Sequence, residues 1–210
     1  MRTGADFREE HVLDDGTRVT LRHIRPGDGP ELRRSFHRLS PESLYRRFFG
    51  GVSELTDATV RYLTEVDGHD HVAIVATRES PDLKTEEGLG VARFVRLAGE
   101  PTVAEAAVTV VDDMQRKGVG RLLATALAAA ARERGVHTFR ADVLADNAPM
   151  RGIMNELGAT ERGAEAGVIT YDVALDSLPT VRGGPLDRIL RAAGESVGVL
   201  LRRVMPPAEE

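Results

Sequence analysis

The 210-residue chain has no cysteine, which removes disulfides, thiolate metal sites and a cysteine nucleophile together. It has no apolar run approaching the ~20 residues of a membrane span, and its opening stretch, MRTGADFREEHVLDD, contains no apolar signal core. These absences predict a cytoplasmic protein without a membrane partner. A long basic block is also missing: 28 basic and 33 acidic residues are interspersed to a net charge of −5, so nothing tracks a phosphate backbone and nucleic acid is not the expected partner. What is present is 41% apolar residues, enough for one full domain with an appendage.

Along the chain, HVLDDGTRVTLRHIR (11–25) alternates apolar and polar residues around Asp15-Gly16 and predicts a hairpin. Asp28 is the expected cap of a helix in PGDGPELRRSFHRL. Ser40 with Pro41 opens a second helix in SPESLYRRFFG, and Thr56 caps a third in LTDATVRYLTEV. Three β-rich runs follow at 71–79, 88–97 and 103–113 as an antiparallel meander. From Gly118 an alanine- and leucine-rich helix runs to Gly135, then come strand VHTFRADVLA, helix DNAPMRGIMNELG and a last strand at 167–175. A meander followed by β-α-β-α-β is an α+β, mixed α/β domain around a mixed, mostly antiparallel sheet flanked by helices. We expect an N-terminal segment over 1–16, the domain over 17–176, and a linker with a C-terminal amphipathic helix over 177–210. That helix could dock on the domain, pair two copies or lie on a membrane surface; Asp187 and Glu195 dilute its basic face and favour docking.

The stretch MQRKGVGRLL (114–123) sets cations and Gly-x-Gly at the mouth of a helix, an arrangement suited to an anion. A P-loop is excluded because Arg121-Leu122 stands where lysine and a hydroxyl are needed. A dinucleotide fingerprint is disfavoured by Leu123 at its third small position. A pyrophosphate could rest on N–H groups from Lys117 to Arg121, because Gly118 and Gly120 allow close backbone approach and Arg116, Lys117 and Arg121 share the charge. The helix dipole adds only ~0.3–1 kcal/mol at an exposed site, so several donors are required.

The run AEAAVTVVDDMQRKGVGRLLATALAAAARERG, followed by VLADNAPMRGIMNELGA, resembles the acyl-CoA-binding core of the GNAT superfamily of N-acetyltransferases. Within it, SPESLYRRFFG, DGHDHVAIV and GVARFVR look like the catalytic domain of Pat-type bacterial protein lysine acetyltransferases. The resemblance implies acetyl-CoA as co-substrate and Gln115, Arg116, Lys117, Gly118, Val119, Gly120 and Arg121 as the pyrophosphate cradle. It further implies an acceptor amine on a protein lysine or a small molecule. An acyl-CoA-binding module without turnover is the alternative from another class.

Acyl transfer needs a neutral amine, and deprotonating a lysine of pKa ≈ 10.4 at pH 7 costs about 4.6 kcal/mol. A base acting through water shortens that climb. Glu105, flanked by Ala104, Ala106 and Ala107, has room for substrate beside it, and the resemblance assigns a glutamate here as general base. Strand 108–112 would pair with the pantetheine arm through backbone groups of Thr109, Val110 and Val111. The resemblance carries Asn147 as a side-chain ligand of that arm, although Asn147 before Pro149 is also good capping chemistry. One departure stands out: many relatives place a thiolate-protonating tyrosine where this chain has Met154, which has no proton to give, and Tyr171 is a weak substitute. His69 and His71 share a face without a third ligand, so no metal is expected and a groove wall or solvated edge is the reading. In YRRFF, Phe48 and Phe49 are expected to pack, with Arg46 and Arg47 facing the acceptor groove or solvent.

Overall fold

The computed structural model describes residues 2–4, 6–48, 54–80 and 85–177, with backbone alone for 45–48, 149 and 177. The segment 178–210, including the expected C-terminal helix, lies outside the described residues, as do Phe49 and the side chains of Arg46, Arg47 and Phe48.

The hairpin forms as the sequence predicts. Strands β1 (Arg8–Val12) and β2 (Arg18–His23) are antiparallel, and Gly16 takes the positive φ of 83° that the turn requires. Helices α1 (Gly29–Phe36), α2 (Pro41–Phe48) and α3 (Asp57–Thr64) follow. Ser40 Oγ accepts from the Ser43 N–H and Thr56 Oγ1 from the Thr59 N–H, as capping chemistry demands. Asp28 departs from expectation. Its carboxylate forms no cap on α1 but takes two 2.8 Å bonds from Arg22, whose buried guanidinium needs a counter-charge more than the helix needs a cap.

The meander is β3 (His71–Glu79), β4 (Glu86–Leu97) and β5 (Glu100–Val110). Strand β5 ends three residues earlier than the alternation suggested, because Asp112–Met114 turn into a 3-10 segment. Then come α4 (Val119–Glu133), β6 (Thr138–Leu144), α5 (Ala148–Glu156), β7 (Thr160–Glu165) and β8 (Val168–Ala174). Strand β7 is additional to the sequence reading: TERGAE has no apolar alternation, all six residues are exposed, and β8 supplies the edge that pairs it.

The sheet order is β1-β2-β3-β4-β5-β6-β8-β7, antiparallel except between β5 and β6. Its main core buries Leu123, Ala126, Leu127 and Ala130 of α4 against Ile74, Ala92, Phe94 and Ala104. A second cluster joins Phe36 and Leu63 to Ala107 of β5 and to Met150, Ile153 and Met154 of α5. Among the described residues the only parallel rungs are Val103–Thr138, Ala104–Phe139 and Glu105–Arg140. Beyond Glu105 both strands continue without pairing to each other, so the sheet opens at that point.

Candidate active site

At the C-terminal end of β5 the chain makes a tight turn into α4. Arg116 has φ of 62° and Gly118 φ of 94°, a left-handed pair flanking Lys117. The backbone N–H groups of Lys117, Gly118, Val119 and Gly120 donate to no backbone carbonyl among the described residues. They therefore form a concave set of donors at a helix N-terminus, suited to a phosphate. Val119 buries its side chain in the core while its N–H stays at the helix mouth, and Arg121 stands partly exposed beside it. Lys117 Nζ lies 3.6 Å from Asp15 at the hairpin tip, an exposed pair of small energetic weight.

Gln115 behaves differently from the rest of the motif. Its N–H donates to Asp112 O, and its Nε2 reaches Asp112 Oδ1 at 3.1 Å, Val110 O at 3.3 Å and Ser43 Oγ at 3.4 Å. It therefore fastens the turn, with its donors directed away from the cradle.

The open edge of β5 also refines the sequence reading. Val111 N–H donates to Leu89 O, so Val111 and, two residues back, Thr109 turn their backbone groups toward β4. The intervening residues, Val108 and Val110, face the gap toward β6. Of the three residues named for a pantetheine arm, the backbone of Val110 faces the gap, and Thr109 and Val111 face away from it.

Asn147 borders this region from the start of α5. It is buried, its Oδ1 accepts from Met150 N–H at 3.3 Å, and its Nδ2 is a buried donor without a hydrogen-bond partner. The cap is thus present and leaves a donor over, which costs free energy until an acceptor arrives.

Glu105 occupies the last parallel rung, 6% exposed. One transverse row of the ladder reads His71, Val95, Glu105, Arg140, Asp172. Arg140 holds Asp172 through two bonds of 2.8 and 3.0 Å and reaches Glu100 at 2.8 Å. On the other side lies Arg93, 1% exposed, which donates to Leu63 O at 3.0 Å and to His71 Nε2 at 2.9 Å. Arginine is only a donor, so Nε2 of His71 accepts and the ring proton sits on Nδ1. Burial first, and then the Arg93 cation, hold the His71 imidazole down at about 4, with Asp67 opposing. Tyr62 stacks on His71 with ring centroids 5.1 Å apart. Burial pushes its phenol up, Arg93 pulls it back and Glu105 adds to the rise. A cavity of about 560 Å³ between α1 and the sheet reaches this cluster, with Arg93, Val91 and Thr109 on its sheet side and Phe36 and Leu63 on its helix side.

His71 is a half-buried partner of Arg93 and not a solvated edge, whereas His69 is exposed and bonded to Asp70. Arg93 and Tyr62 were missed. The available signal was an arginine on the same strand face as Val91 and Val95 in GVARFVR, the face on which Arg93 meets Leu63 of α3. Among the described residues no three His, Asp or Glu side chains converge as a metal site.

A mixed sheet opened at one parallel rung, an anion cradle at the mouth of the next helix and a buried carboxylate at the opening define an acyltransferase-like architecture. Residues 18–160 match the Acetyltransferase (GNAT) domain family, and the chain belongs to that family. Over 165 residues it is 41% identical to Acetyltransferase Pat of Mycolicibacterium smegmatis, covering 77% of this chain and 47% of that protein. The chain thus spans about half the length of that relative. It is 32% identical over 147 residues to Acetyltransferase PA5475 of Pseudomonas aeruginosa, covering 70% of this chain and 77% of that protein. The crystal structure of the GNAT domain of S. lividans PAT superposes with a TM-score of 0.69 at 30% identity, covering 80% of this chain and 96% of that one. Among the described residues no helix is long and apolar enough to cross a membrane.

Proposed function

We propose that the chain is an acetyl-CoA-dependent N-acetyltransferase that acetylates a lysine side chain of a protein by direct transfer, with Glu105 as general base, in the cytoplasm. The observation that carries this reading is the conjunction at the sheet opening: a buried carboxylate lies between an unpaired strand edge and a helix mouth rich in N–H donors. The residues fit acetyl-CoA on a point independent of the motif, since the buried Nδ2 of Asn147 lacks the acceptor that an amide carbonyl of a pantetheine arm would supply. The cradle from Arg116 to Arg121 would hold the pyrophosphate, Val110 with Val108 the arm, and the bound thioester would supply the acyl group. Glu105 then takes the amine proton through water as nitrogen attacks the carbonyl carbon. The choice of a protein lysine rests on the Pat-type resemblance of the stretches around α2, β3 and β4. An acyl-CoA-binding module without turnover is the second reading, favoured by the buried, apolar Met154 on α5.

Incubating the protein with labelled acetyl-CoA and cell lysate separates the readings. Label on protein lysines, lost in Glu105→Gln, supports the proposal. Label only on small amines redirects the acceptor, and acetyl-CoA retained without turnover supports the binding module.

A further inference from the structure

Of the 28 basic residues two are lysines, Lys84 and Lys117, and the other 26 are arginines. Lys84 lies outside the described residues, whereas Lys117 stands in the cradle turn between the left-handed Arg116 and Gly118. For holding a phosphate an arginine serves at least as well, since its planar fork offers two parallel bonds and its charge is permanent. What lysine alone brings to that position is a primary amine whose charge an acyl group removes. The Lys117 side chain is 42% exposed, and its 3.6 Å pair with Asp15 is too weak to sequester the amine. Asp15 decides what loss of that charge would do. Its Oδ1 accepts from Thr17 N–H at 3.0 Å, which fixes the carboxylate in the hairpin turn, while Oδ2 faces Lys117. The hairpin lies against the cradle, for a Cβ on Gly118 would stand 4.0 Å from Leu13. While Lys117 is charged the pair is neutral; once the amine is acylated, Asp15 remains as an uncompensated anion beside the N–H donors.

We propose that Lys117 is a self-modification site: a copy loaded with acetyl-CoA acetylates Lys117 of a second, empty copy and thereby weakens CoA binding in that copy. The inference rests on the proposed function, with Glu105 as base. Transfer runs between copies because Glu105 and the turn that bears Lys117 stand at opposite ends of a stretch of β5, roughly 16 Å from Glu105 to Val110 at ~3.3 Å per residue. The deprotonated Nζ of Lys117 attacks the thioester carbonyl carbon held by the other copy, whose Glu105 takes the amine proton and passes it to water. The C–S bond breaks with its electron pair on sulfur, the thiolate takes a proton from water, and the products are the Lys117 amide and free CoA. In a copy already holding CoA the pyrophosphate covers the turn, so empty copies are the acceptors and bound CoA protects. Among the described residues no other lysine competes for the acyl group.

The test has one arm for the transfer and one for its consequence. Tagged Glu105→Gln protein is mixed with untagged wild type, labelled acetyl-CoA and lysate protein, and peptide mass spectrometry reads the tagged copy. Label is expected on Lys117 of the tagged copy when wild type is present. Equal labelling without wild type assigns the transfer to uncatalysed chemistry and overturns the proposal, as does a bare Lys117. In the second arm Lys117→Nε-acetyllysine is installed during translation and CoA binding is measured by calorimetry. Its Kd should rise about ten-fold, the effect of one unit charge beside a doubly charged pyrophosphate in water-like surroundings, and Asp15→Asn in the same protein should recover most of that loss. An unchanged Kd, or a loss that Asp15→Asn leaves in place, refutes the charge account. Labelled lysate lysines with a bare Lys117 sink this inference alone, whereas a complete lack of label on protein sinks the proposed function with it.

Discussion

Replacing His71 with glutamine should flatten the acid limb of stability. His71 Nε2 accepts from Arg93 at 2.9 Å, so a second ring proton would set two donors and two cations against each other. The ring, mainly through burial and then through Arg93, titrates at about 4 instead of 6.5. The unfolded chain therefore binds a proton between those two values that the folded chain does not. This contribution to stability is complete above about pH 6.5 and lost as pH falls through the window. For one such group the loss from pH 7 to pH 5 is about 2 kcal/mol, reduced to about 1 by partial solvation of the ring. Glutamine preserves an acceptor for Arg93 and never titrates. Urea unfolding at both pH values should show wild type losing about 1 kcal/mol more than H71Q, or about 0.5 M in midpoint at a slope near 2 kcal/mol/M. Equal losses in the two proteins would refute the account of Arg93 and His71 as a donor–acceptor pair.

Substitutions at three further positions follow from the same geometry. Asn147→Ala removes the bond to Met150 N–H and should cost about 1 kcal/mol by thermal unfolding; Asn147→Asp keeps the cap but loses the Nδ2 donor, so it should unfold like wild type yet bind CoA several-fold more weakly by calorimetry. Gly118→Ala places a Cβ at φ of 94°, and about 1–2 kcal/mol of stability together with CoA affinity should be lost, although its nearest neighbours are 3.8 Å or more away. Gly90→Ala would bring a Cβ to 2.6 Å from Thr109 O, so β4 and β5 must shift; a penalty of about 1–3 kcal/mol is expected in denaturant melts, and a neutral result would mean that this rung is looser than it looks.

The elements with strong periodicity or punctuation were readable from the residues. Alternation around Asp15-Gly16 and the stripe in VGRLLATALAAAARERG report local forces, and both elements form as expected. Strand β7 was not readable because its existence depends on the open edge of β8 and not on its own side chains. Asp28 shows the same limit: capping is a local preference, and a buried Arg22 reached from another strand outcompetes it. At the candidate site, the small apolar neighbours of Glu105 point to room for substrate beside it, and the structure buries the carboxylate itself. The Tyr62, His71 and Arg93 cluster needed three elements brought together, and no spacing in one segment encodes that.

Gln115 shows why motif position and chemical role must be separated. Read along the chain, it opens the expected phosphate cradle; in the fold, it joins Asp112 and Val110 to Ser43 of α2. Asp112 accepts from Ser40 N–H and Ser43 Oγ at the start of α2 as well as from Gln115. The next residue, Asp113, takes two bonds from Arg38, which also donates to Gly88 O on β4. The turn that presents N–H groups to an anion is therefore fastened on its other side to the corner between α1 and α2. Left-handed residues such as Arg116 and Gly118 are costly to hold unless their surroundings fix them. Gln115 and Asp112 provide that fixing from within the structure, so the N–H donors stand in place without a ligand, and on the proposed function little ordering entropy is left to be lost when a phosphate binds.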